Sequence, residues 1–205
     1  MESAIFGLVG VIVGSISTII KNWWLHYIKA REEAKYFSIL IVFALDRFVE
    51  GCTSVVYDDG LSEGSYGSDG CRSIQVESPN FEPQLLVGEW KCLPVELSYA
   101  ILDFPNHIRS ADGSVSYAFE FNDCPPDHNL GFEERQYLYA QLGCKAIKLA
   151  DKIRANASLP KNKYGRWNPN LIFNEIIQSI EKSRQKEKAS NIAFAEQLSS
   201  LATNS

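Results

Sequence analysis

The sequence predicts a mainly all-α protein in which a single N-terminal transmembrane helix continues into a cytoplasmic antiparallel helical bundle. Two observations favour this class: an uncharged apolar run at the start of the chain, and apolar residues at three- and four-residue spacing along much of the remaining chain. A share of 45% hydrophobic and 22% charged residues among 205 is ordinary for a globular protein. We expect an anchor at 1–21, a helical domain at 22–200 and a disordered tail at 201–205.

The predicted anchor is Ser3–Ile20, a run of eighteen residues without a charge. A helix needs about 17–20 apolar residues to cross the hydrocarbon core of a bilayer, so the run is just long enough. In a soluble helix each of its glycines would cost about 1 kcal/mol relative to alanine, whereas membrane helices tolerate glycine. A cleaved signal peptide fits less well, because Glu2 stands where a cation is usual and no small-residue cleavage site follows.

Positive charge lies only behind this span, where Lys21 is followed by Lys29, Arg31 and Lys35. Because cationic flanks are retained in the cytoplasm, we expect an inner (cell) membrane protein with its N-terminus outside. The five cysteines are odd in number and widely spaced, which agrees with a reduced cytoplasmic domain. Amphipathic residues prefer the headgroup level of the bilayer. The residues expected at the inner interface are Lys21, Trp23, Trp24 and Tyr27.

Small residues recur along one side of the predicted span, and Gly10 and Gly14 form a GxxxG motif. Such a ridge lets two helices approach closely in lipid, which favours self-association. The alternative is that glycine is simply common in membrane helices. The residues predicted for helix association are Gly7, Gly10, Gly14 and Thr18.

The helical pattern is expected to continue from the span into the bundle. From Tyr36 to Val49 apolar residues occupy most sides of a helix, which ends at Gly51 or frays on to Val56. Residues 57–92 begin with many Gly, Ser and Asp residues and show no clear periodicity. They are predicted as a long irregular loop inserted in the helical domain, with a short strand near 73–76.

Three further helices are predicted after the loop. The first begins at Pro94 and is broken or kinked at Pro105; residues 114–121 are ambiguous between helix and strand, and their helical neighbours favour helix. The second begins near Phe132, and the third begins at Asn168-Pro169, a capping residue followed by proline. The helix lengths fit an up-and-down bundle whose last helix returns towards the membrane.

The net charge of −5 conceals an asymmetry along the chain. Residues 58–134 hold fifteen acidic and three basic groups, whereas residues 135–205 hold twelve basic and five acidic groups. We expect the two parts to pack together and neutralise each other; the alternative is that the basic part meets an anionic surface such as the inner leaflet. The residues predicted for that contact, in the half of the last helix nearest the membrane, are Lys182, Arg184, Lys186 and Lys188.

Few clusters of residues suggest chemistry. One set of potential metal ligands, Asp127, His128 and Glu133, falls in one loop without a known spacing, so a solvated loop is the preferred interpretation. The acidic loop that begins at Asp58 lacks the EF-hand spacing and is interpreted as a solvated linker. No GxSxG, phosphate loop or dinucleotide fingerprint occurs, and no cofactor is expected. Nucleic acid is not an expected partner, despite the basic and aromatic residues at 161–167.

The anchor, the helical core and the lack of a convincing active site favour an interaction module. This would be a membrane-tethered scaffold, adaptor or sensor that presents its bundle to a partner. A second hypothesis is an oligomeric effector that perturbs the bilayer through spans assembled on the GxxxG ridge. A third, less favoured because an enzyme is not expected, is a metal-dependent bundle enzyme. The expected partners are the lipid bilayer, a second copy of the chain and an unidentified protein.

Overall fold

The described chain is almost entirely helical. The computed structural model describes residues 2–61, 72–122, 129–162, 164 and 167–203, of which 2–20, 122, 129 and 198–203 are described by their backbone alone. The helices are α1 (Glu2–Val56), α2 (Val95–Tyr117), α3 (Asn129–Asn156) and α4 (Pro169–Thr203), with a π-helical turn at Ala118–Asn122 and 3₁₀ turns at Pro83–Leu85 and Trp90–Cys92. The absence of strands from these ranges confirms the all-α prediction and makes the predicted strand near 73–76 wrong.

The first helix, α1, joins the predicted span to the bundle without a break. Gly51 does not end it, because the helix continues to Val56 as the longer alternative predicted. Its second half is buried on most sides, whereas every residue of 21–36 except Ala34 is exposed. At 1.5 Å rise per residue this exposed segment is about 24 Å long. We call residues 21–36 the neck.

The third helix, α3, runs antiparallel to the other three. Two contacts with each neighbouring helix show this: the contact made further along the neighbouring helix is with a residue closer to the start of α3. The contacts that show this are Asp46–Arg154 and Asp58–Arg135 at α1, Asp112–Tyr139 and Phe119–Phe132 at α2, and Asn170–Cys144 and Arg184–Glu133 at α4. Hence α1, α2 and α4 all run in one direction, away from the neck, and the predicted bundle packing is confirmed with this helix order.

The direction of α4 differs from the predicted up-and-down order. Because α4 runs parallel to α1, it leads away from the neck, and Arg184 lies beside the first turns of α3, at the end of the bundle farthest from the neck. The helix also continues to Thr203, three residues into the segment 201–205 that was predicted as a tail. The predicted return of the last helix towards the start of α1 is therefore wrong, and the side chains of Lys182, Arg184, Lys186 and Lys188 lie on the part of α4 that leads away from the neck.

The physical reason is an extra pass of the chain. Residues 72–94, which we call the return segment, run back along α1 towards the neck and deliver the chain to the start of α2. Successive contacts along it are Val76 with Asp58, Pro79 with Gly51, Phe81 with Phe48 and Trp90 with Phe37. The segment is irregular, as predicted, but it forms part of the core, since Phe81, Pro83 and Leu93 are buried.

Of the two alternatives predicted at Pro105, a break or a kink, the break is wrong, because α2 continues through it. Proline inside a helix costs about 3 kcal/mol, since it removes a hydrogen bond and crowds the preceding turn. Packing offsets this cost: the neighbouring Phe104 lies edge-on to Phe48 and Phe81, with ring centroids 5.4 Å and 5.6 Å apart. The ambiguous segment 114–121 is helical, which confirms the preferred interpretation.

Among the residues whose side chains the structure describes, none of the helices is long and apolar enough to cross a membrane. The predicted anchor Ser3–Ile20 lies outside those residues, since only its helical backbone is described. The transmembrane part of the predicted fold is therefore not supported by the structure. The same holds for the residues predicted for helix association, Gly7, Gly10, Gly14 and Thr18.

Candidate functional site

The neck presents large apolar side chains that the rest of the described chain leaves uncovered. Trp23 is 67% exposed and stacks on Tyr27, with ring centroids 6.2 Å apart. Trp24, Leu25 and Ile28 are also exposed. Single exposed apolar residues are ordinary on a protein surface, but a contiguous group of them marks an interaction site. The predicted interface residues Lys21, Trp23, Trp24 and Tyr27 all lie in this exposed group.

A groove of about 450 Å³ lies between the neck and the end of α3. Its lining includes Trp24, Tyr27 and Arg31 from the neck, and residues 156–158 at the end of α3 and in the turn that follows it. Helix α3 ends there in a left-handed turn at Ser158, whose φ is 52°, and carbonyls of the last turn accept backbone hydrogen bonds. The groove thus combines aromatic faces with charged groups of both signs, since Glu32 and Lys35 also line it.

The opposite end of the bundle holds a buried ion pair that sequence reasoning missed. Arg135 Nη1 donates to Asp58 Oδ2 at 2.8 Å, and both side chains are buried. The backbone N–H groups of Gly60, Gln75 and Val76 donate to the same carboxylate, each at 3.0 Å. Arg135 also donates to the carbonyl of Val76. Both carboxylate oxygens are therefore partnered, and the pair joins α1, the return segment and α3.

The electrostatics of Asp58 agree with a structural role. Burial raises the pKa of its carboxyl, but the three backbone N–H groups and the Arg135 guanidinium lower it by more, so that the pKa lies below its ordinary value. The interpretation of Asp58 as part of a solvated linker is wrong. The sequence did contain one signal for this buried pair. Arg135 stands at helical spacing between Phe132 and Tyr139, which are buried, and a buried arginine requires a buried partner.

A second buried arginine lies closer to the neck. Arg154 Nη2 donates to Asp46 Oδ2 on α1, and Arg154 Nη1 lies 3.4 Å from Asp151. Asp46 Oδ1 has no hydrogen-bond partner within the described part of the chain. Tyr164 is nearby, where burial raises the pKa of its hydroxyl and Asp46 raises it further. This pair links α1 to α3, and the side chain of Arg154 is only 6% exposed.

The thiol and phenol groups of the core are not activated for nucleophilic chemistry. Burial raises the pKa of the Cys52 thiol well above its ordinary value, and the neighbouring Cys144 raises it further. Burial also raises the pKa of Tyr139, and so does the hydrogen bond that its hydroxyl donates to Asp112. An activated nucleophile needs a lowered pKa or an adjacent base. These groups are therefore parts of the core.

The predicted metal cluster is not assembled by the described residues. Asp127 and His128 lie outside them, and Glu133 accepts a hydrogen bond from Arg184 Nε at 2.8 Å. Within the ranges that the structure describes, no three His, Cys, Asp or Glu side chains are grouped for a metal ion. Glu133 is thus committed to an ion pair.

Arg184 links α4 to α3 at the end of the bundle farthest from the neck. Its guanidinium binds Glu133 and Glu134, at 2.8 Å and 2.7 Å, and lies 4.7 Å from the centre of the Tyr137 ring. The acidic and basic parts of the sequence therefore do neutralise each other here, as the preferred interpretation expected. The other residues predicted to meet an anionic surface, which stays a prediction, are exposed on α4: Lys182, Lys186 and Lys188.

The neck and its groove are the surface on which an interaction is best argued. The buried charges Asp58 and Arg135 are paired within the bundle, whereas the large apolar side chains of the neck stay exposed. Comparison with known proteins does not assign the chain to a family. No protein-family model, no curated protein and no solved structure matches the chain.

Proposed function

We propose that this chain is a membrane-anchored interaction module, a scaffold, adaptor or sensor whose helical bundle is held at the inner face of the cell membrane. The observation that carries the proposal is the neck. Helix α1 runs without a break from the predicted span into the bundle. Between the two, the apolar residues of 23–28 are exposed. A continuous helix of this kind couples the position of the bundle rigidly to that of the span.

The position of the aromatic residues supports the membrane part of the proposal. Trp23 and Trp24 follow the predicted end of the span at Ile20 by three and four residues, which is about 5–6 Å along a helix. The headgroup layer on each side of a bilayer is about 5–8 Å thick. Indole rings at this depth keep their apolar bodies near the acyl chains and their N–H groups in the polar layer.

The charge distribution supports the orientation with the N-terminus outside. Lys21, Lys29, Arg31 and Lys35 follow the predicted span within fifteen residues. Positive charge within about 15–20 residues of a span is retained on the cytoplasmic side. The bundle that follows the neck would then lie in the cytoplasm.

The polar groups of the bundle support interaction over catalysis. Asp58 with Arg135 and Glu133 with Arg184 are engaged in ion pairs that join two helices or a helix and the return segment. Charges used in this way hold the fold in one arrangement. We therefore propose that a partner binds the protein through the neck.

Crosslinking and pull-down of the full chain from native membranes tests the proposal. The variant Trp24→Ala/Tyr27→Ala removes two neck rings, and Tyr99→Ala, an exposed tyrosine of α2, is the matched control. We expect a partner that crosslinks to the wild-type chain and the control but not to the neck variant. The same crosslinked species with all three chains, or a chain that fractionates with the supernatant, would contradict the proposal.

A dye-leakage assay in the same cells separates the proposal from the bilayer-perturbing effector. An interaction module leaves the membrane impermeable to a small charged dye at every expression level at which the chain reaches the membrane. Leakage that rises with expression and is lost when Gly14 is replaced by Leu would favour the effector instead.

A further inference from the structure

A small cavity of about 120 Å³ lies between α2 and α3. Each helix contributes a row of residues three and four positions apart, which lie on one side of a helix. The register of the two helices brings the rows together, because Asp112 contacts Tyr139 and Phe119 contacts Phe132. The polar lining residues are His107, Ser110 and Ser114 on α2, and Gln141 and Lys145 on α3.

The cavity exists because small side chains on α2 stand opposite longer ones on α3. Ser110, Ala111 and Ser114 form the α2 wall, and larger side chains there would fill the space. Leu138 and Leu142 give the α3 wall an apolar part. One water occupies about 30 Å³ of the liquid, so the cavity has room for about four waters or for one compact ion.

The lining is chemically one-sided. Each of its polar side chains can donate a hydrogen bond, and no carboxylate is among the described residues that line it. Lys145 supplies the positive charge and has no ion-pair partner within the described ranges. By contrast, Arg135, Arg154 and Arg184 each bind a carboxylate of the bundle. The charge of Lys145 is thus left for a group from outside the described chain.

Two of the lining side chains also contact their own helices. Ser114 Oγ donates to the carbonyl oxygen of Ser110 at 3.1 Å, so its hydrogen is already used. The Gln141 amide interacts with the Tyr137 hydroxyl, and an amide has a second N–H to donate. The donors left for a ligand are the Ser110 hydroxyl, one N–H of Gln141, the His107 imidazole and the Lys145 ammonium.

The carboxylates near the cavity have cations or donors of their own. Asp103, one turn earlier on α2, lies outside the lining and contacts His107, with 3.6 Å between Oδ2 and Nε2. Glu134 in the next groove binds Arg184. It precedes Lys145 by eleven residues, about 16 Å of helix, which exceeds the screening length of about 8 Å at physiological ionic strength. The ammonium of Lys145 therefore dominates the charge of the lining.

We propose that this cavity binds a phosphate-sized oxyanion, such as the phosphoryl group of a soluble phosphate monoester. Lys145 neutralises negative charge on the ion, and lysine does this as a point charge without a fixed geometry. The hydroxyl of Ser110 and the amide of Gln141 donate to the remaining oxygens. Because the donors come from two helices, the bound anion also stabilises the packing of α2 on α3.

The position of the cavity favours a soluble anion over a lipid headgroup. Arg154 contacts Asp46 of α1, and Lys145 lies nine residues earlier on α3, farther from the neck. Asp46 itself follows Ile20 by 26 residues, which is about 39 Å of helix, whereas the headgroup layer is about 5–8 Å thick. This choice of source rests on the proposed function, but the anion site itself does not.

Titration of the full, detergent-solubilised chain with inorganic phosphate at constant ionic strength tests the proposal. Backbone amide chemical shifts, measured by NMR, locate the bound ion. We expect saturable changes confined to 107–114 and 138–145, with a dissociation constant of roughly 0.1–10 mM. Changes that never saturate, or that map to another part of the chain, overturn the proposal.

Three variants separate a built site from general attraction to a positive surface. Lys145→Met removes the cation, and Ser110→Leu fills the cavity but keeps the cation. Lys152→Met is the matched control, because Lys152 is an exposed lysine of α3 outside the lining. We expect phosphate affinity to fall about tenfold in the first two and to stay within about twofold in the control. The same affinity in all three variants means that the cavity is not the site.

A soluble ester and a phospholipid separate the two sources of the phosphoryl group. Glycerol phosphate should compete with inorganic phosphate for the same amides, whereas micelles doped with phosphatidylglycerol should leave these amides unshifted. The reverse result contradicts the soluble source. None of these titrations depends on how the chain fractionates, so a failure of the proposed anchor is seen separately, as chain recovered from the supernatant.

Discussion

Two adjacent residues of α1, Tyr36 and Phe37, separate the two halves of the helix. Phe37 is buried and meets the Trp90 ring edge-on, with ring centroids 4.9 Å apart. Tyr36 and nearly all of the neck before it are exposed. Both halves carry large apolar side chains, but only the second half receives α3 and the return segment as partners. The difference locates the exposed apolar surface of α1 in the neck, which is where we propose that a partner binds.

The charged groups show the reverse distribution. At the far end of the bundle, Asp58 and Arg135 are buried and hydrogen-bonded to each other, and three backbone N–H groups also donate to Asp58. In the neck, Lys29, Arg31 and Lys35 are exposed. A buried pair fixes one arrangement of helices, whereas exposed cations beside apolar rings suit contact with a membrane surface or a second chain. The bundle thus uses its charges to hold helices together, whereas the neck leaves its charges exposed for the proposed contact.

The largest expected effect comes from breaking the buried pair. Arg135→Met leaves the Asp58 carboxylate buried without its cation, which should lower the free energy of unfolding by about 3–5 kcal/mol. Arg184→Met, at a half-exposed pair, should cost about 1 kcal/mol or less. Urea unfolding of the detergent-solubilised chain, followed by circular dichroism, measures both. Equal losses of unfolding free energy in the two variants would show that the buried pair stabilises the fold no more than the half-exposed pair does.

The boundary within α1 can be tested by alanine at each side of it. Phe37→Ala should lower the free energy of unfolding by about 3–5 kcal/mol, because it leaves a cavity beside Trp90. Tyr36→Ala should change it by no more than about 0.5 kcal/mol. The same urea titration compares them. A loss above about 2 kcal/mol for Tyr36→Ala would mean that the neck is packed within a single chain.

Two glycines test whether helix packing or helix propensity dominates. A Cβ at Gly143 on α3 would overlap the Phe173 ring of α4, so Gly143→Ala should destabilise the bundle by about 1–3 kcal/mol. A Cβ at Gly113 on α2 meets nothing within 4 Å, so Gly113→Ala should stabilise by about 0.5–1 kcal/mol. Thermal melts give the sign of each change. Stabilisation at both positions would show that α4 does not pack closely on α3.

The smallest and most gradual effect is that of acid. Because the pKa of Asp58 is lower in the folded chain than in the unfolded one, its contribution to stability is present above the unfolded pKa, about 3.9. This contribution is lost as the pH falls through the folded value. Urea midpoints should therefore fall from about pH 4 downwards, and less steeply in Asp58→Asn. Parallel curves for the two chains would show that Asp58 does not carry this pH dependence.

Local signals in the sequence predicted most helices. Asn168-Pro169 starts α4 as predicted, with Asn168 Oδ1 accepting a hydrogen bond from the N–H of Asn170 at 3.1 Å. Apolar spacing likewise predicted the helix from Tyr36 onwards. Each of these signals lies within a few residues of the structure that it determines, so one sequence was sufficient to find them.

The helix order and the buried charges depended on contacts between distant residues. Asp58 and Arg135 are 77 positions apart, and nothing local to Asp58 distinguishes it from a solvated turn. The return segment reverses the chain without a periodic pattern, and this reversal sends α4 away from the neck. The composition of the neck was evident from its tryptophans, but its exposure depends on where α3 ends.

Alkaline carbonate extraction of membranes from cells that express the full chain tests whether the first part of α1 anchors the bundle. We expect the wild-type chain and the neck variant Ala30→Arg in the membrane pellet. Val11→Arg/Val13→Arg should shift to the supernatant, because each arginine near the centre of a span costs about 2.5–3.5 kcal/mol. Wild-type chain released by carbonate, or a span variant that stays in the pellet, would show that the first part of α1 does not anchor the bundle.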